Sequence, residues 1–310
     1  MSIELRVLTK ELIADRVAAL TLGSVDGSSL PEWAPGSHID VTLPGGLIRQ
    51  YSLCSDPADR TSWRIGVLKE LAGRGGSDAV HDLVQVGDTL SAVGPRNNFR
   101  YRLPSSDVLF IAGGIGITPI LPMVRAADQA GANWRMLYLG RNRASMGFLD
   151  ELAVYGDRIT VHTSDDGGVL PLADGIAATG LDDPEIYACG PGPLLDALGE
   201  YWPAGHLHIE RFSGDGNGAE ATDTAFIVET SDGTEIEVAA DETILAAMIR
   251  CGVPALNSCQ EGICGTCETV VLEGTPLHRD SLLSEEERAS NGTMMICVSR
   301  CVGDRLVLEL

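Results

Sequence analysis

The segment Cys259-Gln260-Glu261-Gly262-Ile263-Cys264-Gly265-Thr266-Cys267, followed at a distance by Cys297, decides the fold of the C-terminal part of the chain. A Cys-x4-Cys-x2-Cys run with a remote fourth cysteine is the ligand spacing of plant-type 2Fe-2S proteins. Gly262 and Gly265 allow the backbone to approach a cluster closely, so that N–H groups can donate to its sulfur atoms. The spacing therefore predicts four metal ligands, Cys259, Cys264, Cys267 and Cys297.

Two other interpretations of these cysteines are a zinc site and unconnected core residues. A structural zinc site tolerates the x4 gap, but a lone fourth cysteine is unusual for it. The second alternative is a set of unconnected core cysteines. Cys251 and Cys301 lie near the four ligands in the sequence; because a four-cysteine site is already complete, we expect each to be a small buried hydrophobic residue.

Composition favours an intracellular globular protein of two or three domains. The 310 residues are about twice the length of an average domain, and 44% hydrophobic with 21% charged residues permit a large core. A formal net charge of −22 argues against nucleic acid and anionic membranes as partners. No apolar stretch reaches the ~20 residues of a membrane-spanning helix, and residues 1–10 lack the pattern of a secretory signal. We therefore expect a cytoplasmic location.

Three patterns follow one another along the chain. Residues 1–104 contain short strands separated by turns, which predicts an antiparallel β-barrel. Residues 105–213 alternate apolar strands with helices, which predicts an α/β domain with a parallel sheet. The polar, glycine-rich residues 214–221 predict a flexible linker. Residues 222–310 open with a hairpin and a helix, and carry the cysteines.

Two glycine loops of the α/β region are candidates for nucleotide binding. In the first, Gly113, Gly114 and Gly116 would let backbone amides meet a pyrophosphate at a helix start, and Pro119 suits the first helical turn. The third glycine and the acidic ribose ligand of the dinucleotide fingerprint are missing, so this loop alone also fits an ordinary turn. The second loop is Cys189-Gly190-Pro191. Its cysteine would lie at the carboxyl edge of the sheet, or else be a buried core residue.

Two short motifs of the barrel region are candidates for flavin binding. Arg49, Tyr51 and Ser52 end one strand, and Gly75-Gly76-Ser77 precedes a short helix. An arginine, a hydroxyl and a glycine-rich helix start can converge on one phosphate, while a tyrosine ring can lie beside a flat heterocycle. In isolation, Arg-x-Tyr-Ser is a common strand sequence.

Taken in order, these motifs cover essentially the whole chain and resemble the phthalate dioxygenase reductase and vanillate demethylase reductase family. The resemblance implies an FMN-binding β-barrel (1–104), an NADH-binding α/β domain (105–213) and, after the linker, a 2Fe-2S ferredoxin domain of α+β, β-grasp type (222–310). The residues that the resemblance assigns to FMN are Arg49, Tyr51, Ser52, Gly75, Gly76 and Ser77. Those assigned to the pyridine nucleotide are Gly113, Gly114, Gly116, Thr118, Pro119, Cys189, Gly190 and Pro191.

The resemblance also implies roles at the hydride-transfer site. It implies that the cysteine of Cys-Gly-Pro faces the nicotinamide. Residues 208–212 are similar to the segment that brings an aromatic residue near the flavin, and Phe212 is the aromatic residue at that position. Thr118 and Cys189 are expected to position the nicotinamide rather than to react covalently. Related reductases hold the NADPH 2′-phosphate with a Ser-Arg pair in the loop after the third strand of this domain. This chain has Ser164-Asp165-Asp166 there, and the Asp165 carboxylate favours NADH, although Arg141 and Arg143 are close in the sequence.

The predicted activity is electron transfer from NADH through FMN and the cluster to an external oxygenase. The resemblance implies a Rieske-type non-heme iron oxygenase as partner, with a cytochrome P450 as the alternative. A redox-sensing regulator and a flavoprotein whose cysteines bind zinc are further alternatives. Residues 222–310 contain 16 Asp and Glu against 5 Lys and Arg, which could orient a basic partner or simply favour solubility. His278-Arg279-Asp280 also matches the family pattern, and the only roles considered for it are an interface contact or the bracing of a loop.

Overall fold

The fold was analysed in a computed structural model that describes residues 2–71, 73–202, 206–214, 220 and 222–310. The chain divides into two compact units, Met1–Phe212 and Ser213–Leu310. Of the linker predicted over residues 214–221, only Gly214 and Glu220 are among the described residues. The proposed boundaries between flavin, nucleotide and ferredoxin domains remain predictions.

The first sheet of unit one is antiparallel. Its strands are β1 (Ser2–Ala14), β2 (Val17–Ser24), β3 (Ser37–Thr42), β4 (Ile48–Ser52), β5 (Ser62–Leu68) and β6 (Thr89–Asn97). They pair in the order β4-β3-β6-β1-β2-β5, and an antiparallel bridge between Leu53 and Ile65 joins the two ends. Fully buried Leu20, Ile39 and Trp63 belong to the hydrophobic core of this sheet. The predicted antiparallel β-barrel is confirmed.

A short helical turn lies between β5 and β6. It consists of α1 (Gly76–Asp78) and a π-helical turn (Ala79–Leu83). Gly75 precedes it with a φ of 77°, in the left-handed region that favours glycine. The buried side of the turn, Ala79 and Val80, packs into the barrel core. The position of Gly75-Gly76-Ser77 before a short helix is therefore as predicted.

The second sheet is parallel. Its strands are β7 (Val108–Gly113), β8 (Trp134–Gly140), β9 (Ile159–Thr163), β10 (Glu185–Cys189) and β11 (Leu207–Glu210), in the order β11-β10-β7-β8-β9. The helices are α2 (Ile117–Gln129), α3 (Leu149–Leu152), α4 (Ser164–Gly167), α5 (Leu172–Ala177) and α6 (Gly192–Tyr201). Val108–Gly113 is buried along its whole length, as a central parallel strand should be. The predicted α/β architecture is confirmed.

Two local predictions in this region were wrong. A single helix expected over residues 145–154 is instead 3₁₀ turns at Arg143–Ser145 and Ala153–Arg158 flanking α3. Phe148 interrupts the helix because it adopts a φ of 62° before α3 begins. The segment expected to be a loop after β9 folds as α4, with Asp165 and Asp166 in its first turn.

Unit two carries a mixed sheet. Its strands are β12 (Phe226–Thr230), β13 (Glu235–Val238), β14 (Glu268–Glu273), β15 (Pro276–Leu277), β16 (Thr293–Met295), β17 (Arg300–Cys301) and β18 (Arg305–Leu308). The main order is β13-β12-β18-β14-β16, and β15 pairs with β17. Thr243 precedes helix α7 (Ile244–Arg250) and caps it, because its side chain accepts a hydrogen bond from Ala246 N. Ser284 caps helix α8 (Glu285–Ser290) in the same way. The predicted hairpin and α+β class are confirmed.

In the described part of the chain, no helix is long and apolar enough to cross a membrane. The prediction was wrong for Cys251, which is exposed, whereas Cys301 is partly buried and packs against the core of unit two. Cys251 directly follows α7 and therefore lies at the end of the helix rather than on the buried face that holds Leu245 and Met248.

Candidate functional site

The four predicted cluster ligands come together in unit two. The thiol of Cys259 contacts the thiols of Cys264 and Cys297, and the thiol of Cys297 also contacts that of Cys267. A 2Fe-2S cluster takes two cysteines on each iron, so linked sulfur pairs suit it. In the described residues, no group of three or more His, Cys, Asp and Glu side chains is arranged to hold a single metal ion. Four cysteine thiols are the donor set that a 2Fe-2S cluster requires.

The backbone of the 259–264 loop is shaped around these sulfur atoms. Glu261 N donates a 3.3 Å hydrogen bond to Cys259 Sγ, as predicted for amides turned toward the ligands. Gln260 and Gly262 adopt φ values of 58° and 70°, which fold the loop tightly. A Cβ atom on Gly262 would lie 2.6 Å from Val298 Cγ2, so no larger residue fits there without a shift. The loop and the segment after Cys297 therefore pack closely.

The two flavin motifs of the barrel meet at Arg49. A Cβ atom on Gly76 would lie 2.5 Å from Arg49 Nε, so the glycine lets the guanidinium approach the turn before α1. Arg49 Nη2 donates to Arg74 O at 2.8 Å, which holds the guanidinium beside the same loop. Ser77 Oγ accepts from Glu70 N at 3.0 Å and closes that loop. An arginine beside two glycines fits a phosphate group.

Tyr51 and Ser52 point to opposite faces of β4. Tyr51 packs partly buried against the barrel core, and burial raises the pKa of its phenol. Ser52 is almost fully buried, and its hydroxyl donates a 3.4 Å hydrogen bond to Glu210 Oε2 at the end of β11. One strand end therefore contributes to the barrel and also reaches the parallel sheet.

The two nucleotide-binding loops also meet. A Cβ atom on Gly116 would lie 2.2 Å from Cys189 O, and one on Gly113 would lie 2.7 Å from Pro191 Cδ. Gly190 also lies close to Gly113, since a Cβ there would be 3.0 Å from Gly113 Cα. By contrast, Gly114 adopts a φ of 53° and a Cβ on it would meet nothing within 4 Å. Open space above a backbone loop at a sheet edge suits a ligand phosphate.

Thr118 and Pro119 lie at the start of α2 and are buried. Thr118 Oγ1 donates to Ile115 O at 3.0 Å, so its hydroxyl braces the glycine loop. Its methyl group faces the barrel, since a Cβ on Gly66 would lie 2.8 Å from Thr118 Cγ2. Thr118 therefore connects the glycine loop to β5.

Glu210 is a functional candidate that the sequence analysis passed over. It pairs in register with Cys189 on β10 and accepts from Ser52. Glu210 is partly buried, and desolvation of its carboxyl raises its pKa to about 8. The pKa of the fully buried Cys189 thiol is also raised. Desolvation is the larger cause, and the charge of the nearby Glu210 carboxylate is the smaller one. The signal that could have found Glu210 was a carboxylate ending an apolar strand at the ligand edge, two residues before Phe212.

The remaining predicted residues lie on the rim of unit one. Asp165 Oδ1 lies 3.5 Å from Arg141 Nε, and its Oδ2 accepts from Asn142 Nδ2 at 3.2 Å. Arg141 is largely exposed, with 80% of its side chain accessible. Phe212 follows β11 and is 40% exposed. Both positions are open to ligands, as their predicted roles require.

Comparison with known proteins shows what the chain is similar to. Residues 227–302 match the 2Fe-2S iron-sulfur cluster binding domain family. The chain is 40% identical to a reductase subunit of the toluene-4-sulfonate monooxygenase system of Comamonas testosteroni, covering 96% of each chain. It is 37% identical to a vanillate O-demethylase oxidoreductase of a Pseudomonas strain, covering 99% of this chain and 100% of that one.

Solved structures agree. A phthalate dioxygenase reductase that transfers electrons from pyridine nucleotides to a 2Fe-2S centre matches with a TM-score of 0.73 and 32% identity, over 100% of this chain and 98% of that one. An intact type IV self-sufficient cytochrome P450 monooxygenase matches with a TM-score of 0.88 and 42% identity over 100% of this chain. The chain spans 41% of the length of that P450.

Fold, donor set and relatives together define a flavin and iron–sulfur oxidoreductase that depends on NAD(H). The chain belongs to the family of phthalate dioxygenase reductase and vanillate demethylase reductase, as its motifs predicted. The predicted cofactors FMN, NADH and 2Fe-2S are confirmed.

Proposed function

We propose that this chain is the reductase component of a Rieske-type non-heme iron oxygenase. Its relatives are reductases named for dioxygenase, demethylase and monooxygenase systems. When bound, the flavin accepts a hydride from NADH and releases electrons singly, and the cluster carries one electron at a time. The partner class rests on these relatives, and the single observation that supports hydride transfer from NADH to the flavin is the Ser52–Glu210 hydrogen bond beside Cys189, because it joins the flavin motif to the nicotinamide motif.

The residues of unit one would bind and orient the two ring systems. Arg49 and the Gly75-Gly76 turn would hold the flavin phosphate, and Tyr51 would lie against the ring. Gly113, Gly114 and Gly116 would take the pyrophosphate, with Gly190 and Pro191 closing the second side of the loop. Asp165 would accept from the adenosine ribose. Cys189, Thr118 and Phe212 would position the nicotinamide against the flavin and exclude water from it.

The partly buried carboxyl of Glu210 would remain protonated at neutral pH, because desolvation raises its pKa to about 8. In that form it carries no charge beside the nicotinamide position at Cys189, and it can both donate and accept hydrogen bonds. Cys189 would likewise remain an uncharged thiol, since burial raises its pKa. These residues therefore shape a neutral, poorly hydrated floor for hydride transfer rather than supplying a nucleophile.

Anaerobic titration of the purified holoprotein with NADH, followed by visible absorption, tests the activity. Both flavin and iron–sulfur bands should bleach. Bleaching of the flavin alone would favour a zinc-binding or sensor protein, and iron with acid-labile sulfide analysis then separates these. Sustained NADH-dependent reduction of cytochrome c is expected of a reductase, whereas a sensor should show little continuous turnover.

A cytochrome P450 partner is the second candidate, and the match to the self-sufficient P450 favours it. The two candidates are separated by supplying the reduced holoprotein to a purified Rieske oxygenase and, in parallel, to a purified P450, each with its own substrate. The productive partner class is the one that forms product while NADH is consumed in a stoichiometric amount. Product only with the P450 would contradict the Rieske proposal. A cytoplasmic location remains a prediction from the sequence.

A further inference from the structure

Within unit one, a short stretch of the parallel-sheet region lies against the antiparallel barrel. We call residues 144–152, which follow β8 and include α3, the bridging segment. Asp15 N, just after β1, donates a 2.7 Å hydrogen bond to Ala144 O. A Cβ atom on Gly147 would lie 3.2 Å from Ile13 Cδ1, so the segment also packs closely on the end of β1. The bridging segment is therefore in direct contact with the sheet that carries the predicted flavin motifs.

One carboxylate of the bridging segment binds two arginines from different elements. Arg64 of β5 donates from Nη1 and Nη2 to the two Glu151 oxygens at 2.7 and 2.8 Å, and Arg125 of α2 donates to Oε2 at 2.5 Å. The accessible side-chain fraction is 35% for Glu151 and 23% for each arginine, so water screens these charges only in part. We call Arg64, Glu151 and Arg125 the ionic triad. Its bidentate geometry fixes the barrel, α2 and the bridging segment to one another.

The ionic triad reaches the flavin motif of the barrel through Cys54. Arg64 and Arg125 both donate to Cys54 O, at 3.1 and 3.3 Å. Cys54 N in turn donates to Arg64 O at 2.8 Å. Cys54 lies two residues after Ser52 and three after Tyr51. A displacement of either arginine would therefore move the chain that ends the flavin motif.

The bridging segment also reaches the glycine loop of the nucleotide motif. The hydroxyl of the fully buried Tyr138 donates to Gly147 O at 3.1 Å, with Gly114 O as a second acceptor at 3.2 Å. Arg125 belongs to α2, the helix that follows this glycine loop. The segment is thus held on one side to the barrel and on the other to the glycine loop.

Phe148 packs where β5 meets the bridging segment. It is buried with a φ of 62°, a conformation that a bulky residue keeps only where its surroundings hold it. Arg64 Cζ lies 4.9 Å from the centre of its ring. A Cβ atom on Gly66 would lie 3.2 Å from that ring and 2.8 Å from Thr118 Cγ2. Strand β5 therefore approaches both the bridging segment and the start of α2 so closely that a larger residue at position 66 would force a shift.

We propose that Arg64, Glu151 and Arg125 are positioning residues that fix the flavin motif of the barrel against the glycine loop, and so set how the nicotinamide approaches the flavin. The proposal rests on the proposed reduction of the flavin by NADH. In that step the C4–H bond of NADH breaks and its electron pair moves with the hydrogen to the flavin, which is reduced as NADH becomes NAD⁺.

The division of the predicted ligand residues gives this positioning a specific signature. The residues assigned to the flavin phosphate and ring lie on the barrel, and those assigned to the pyridine nucleotide lie on the loops of the parallel sheet. A displacement between the two sheets would leave each ligand bound to its own residues but would misplace the reacting atoms. Rates fall steeply with such misplacement, so the loss appears in the limiting rate rather than in binding.

The competing explanation is that the ionic triad only stabilises unit one. Its loss would then lower the free energy of unfolding or the flavin content, while protein with its full flavin content would be reduced at the wild-type limiting rate. The two explanations therefore differ in one rate constant measured on fully loaded protein.

Glu151→Gln is the decisive variant, because it keeps the size of the side chain but offers the two guanidinium groups one acceptor oxygen and an amide donor. Asp128→Asn is the matched control: Asp128 is in α2 and accepts from Arg158 at 2.8 Å, and both residues belong to the parallel-sheet region. Gly66→Ala is the second variant, since it adds bulk behind β5 instead of removing a charge. Its control is Gly199→Ala, whose Cβ would meet nothing within 4 Å.

Each holoprotein is mixed anaerobically with a series of NADH concentrations in a stopped-flow instrument, and its flavin content is measured. In Glu151→Gln and Gly66→Ala we expect the limiting rate of flavin reduction to fall by roughly tenfold or more, while the half-saturating NADH concentration stays within about twofold of wild type. The long-wavelength absorption of stacked nicotinamide and flavin rings should weaken in both. The two controls should behave as wild type in every measurement.

An unchanged limiting rate in fully loaded Glu151→Gln would overturn the proposal, as would a change confined to the half-saturating NADH concentration. If Glu151→Gln fails to fold, Gly66→Ala decides alone, and loss of flavin from both variants would assign the triad to stability and overturn the proposal. Failure of the proposed function itself is distinguishable, because NADH would then leave the flavin oxidised in the wild-type protein as well.

Discussion

The hydroxyl of Ser52 donates a 3.4 Å hydrogen bond to Glu210 Oε2. Ser52 ends a strand of the antiparallel barrel and Glu210 ends the edge strand of the parallel sheet. Glu210 also pairs in register with Cys189. A partly buried carboxyl group therefore lies where the predicted flavin and nicotinamide motifs meet, and it is the part of the candidate site with the clearest pH dependence.

Glu210→Gln should change how stability depends on pH. Since the folded-state pKa is raised to about 8, the folded wild-type protein binds a proton that the unfolded chain releases above about pH 4.3. The contribution of Glu210 is therefore complete below that unfolded value and is lost as pH rises toward 8, by at most about 1.4 kcal/mol per pH unit. Chemical denaturation of both proteins between pH 5 and 9 should show the wild type losing stability relative to the variant. Parallel curves would contradict this expectation.

Gly116→Ala should separate the two nucleotide loops. The new Cβ would lie 2.2 Å from Cys189 O, a backbone atom that cannot rotate away. We expect a loss of roughly 1–3 kcal/mol in the free energy of unfolding and a raised KM for NADH, with flavin content unchanged. Gly199→Ala in α6 is the control, since its Cβ would meet nothing within 4 Å. An unaltered KM in Gly116→Ala would show that the loops do not bind the nucleotide.

The architecture could be predicted from the sequence because each part of the chain has a characteristic pattern of strands and helices, or a cysteine spacing, that few folds share. The alternation of strands and helices after residue 105, the hairpin before α7 and the spacing of Cys259, Cys264 and Cys267 are local patterns, and all three are found in the structure. Arg49 and Gly76 also converge as expected, because both motifs flank the same edge of the barrel.

Contacts between side chains that are far apart in the sequence could not be predicted from it. Glu210 reaches Ser52 across 158 residues, and nothing near either residue in the sequence signals the pair. The contacts of Gly214 with Glu261 and of Asp223 with Arg279 are of the same kind. Phe148 interrupts the expected helix because it adopts a left-handed conformation. This conformation is uncommon for residues other than glycine, so the sequence gives no signal of it.

Asp165→Ser should shift nucleotide preference toward NADPH. The Asp165 carboxylate repels a 2′-phosphate, and it lies 3.5 Å from the exposed guanidinium of Arg141. Removing the carboxylate would therefore leave Arg141 available to bind the phosphate. The ratio of kcat/KM for NADPH to that for NADH should rise by roughly tenfold or more. Adding Arg141→Gln should cancel the gain for NADPH while leaving the loss for NADH. No gain in the single variant would remove Asp165 from the nucleotide site.

Cys267→Ser should separate the two redox steps. Cys267 is one of the four predicted ligands, and its thiol contacts that of Cys297, so a serine would remove a thiolate that one iron needs. We expect iron and acid-labile sulfide to be lost while NADH still reduces the flavin, because the flavin and nucleotide motifs belong to a separate compact unit. Cys251→Ser is the matched control: that cysteine is exposed and should leave iron content at the wild-type level. Loss of flavin reduction along with the cluster would contradict the independence of the two units, whereas retention of iron in Cys267→Ser would mean that another residue completes the ligand set.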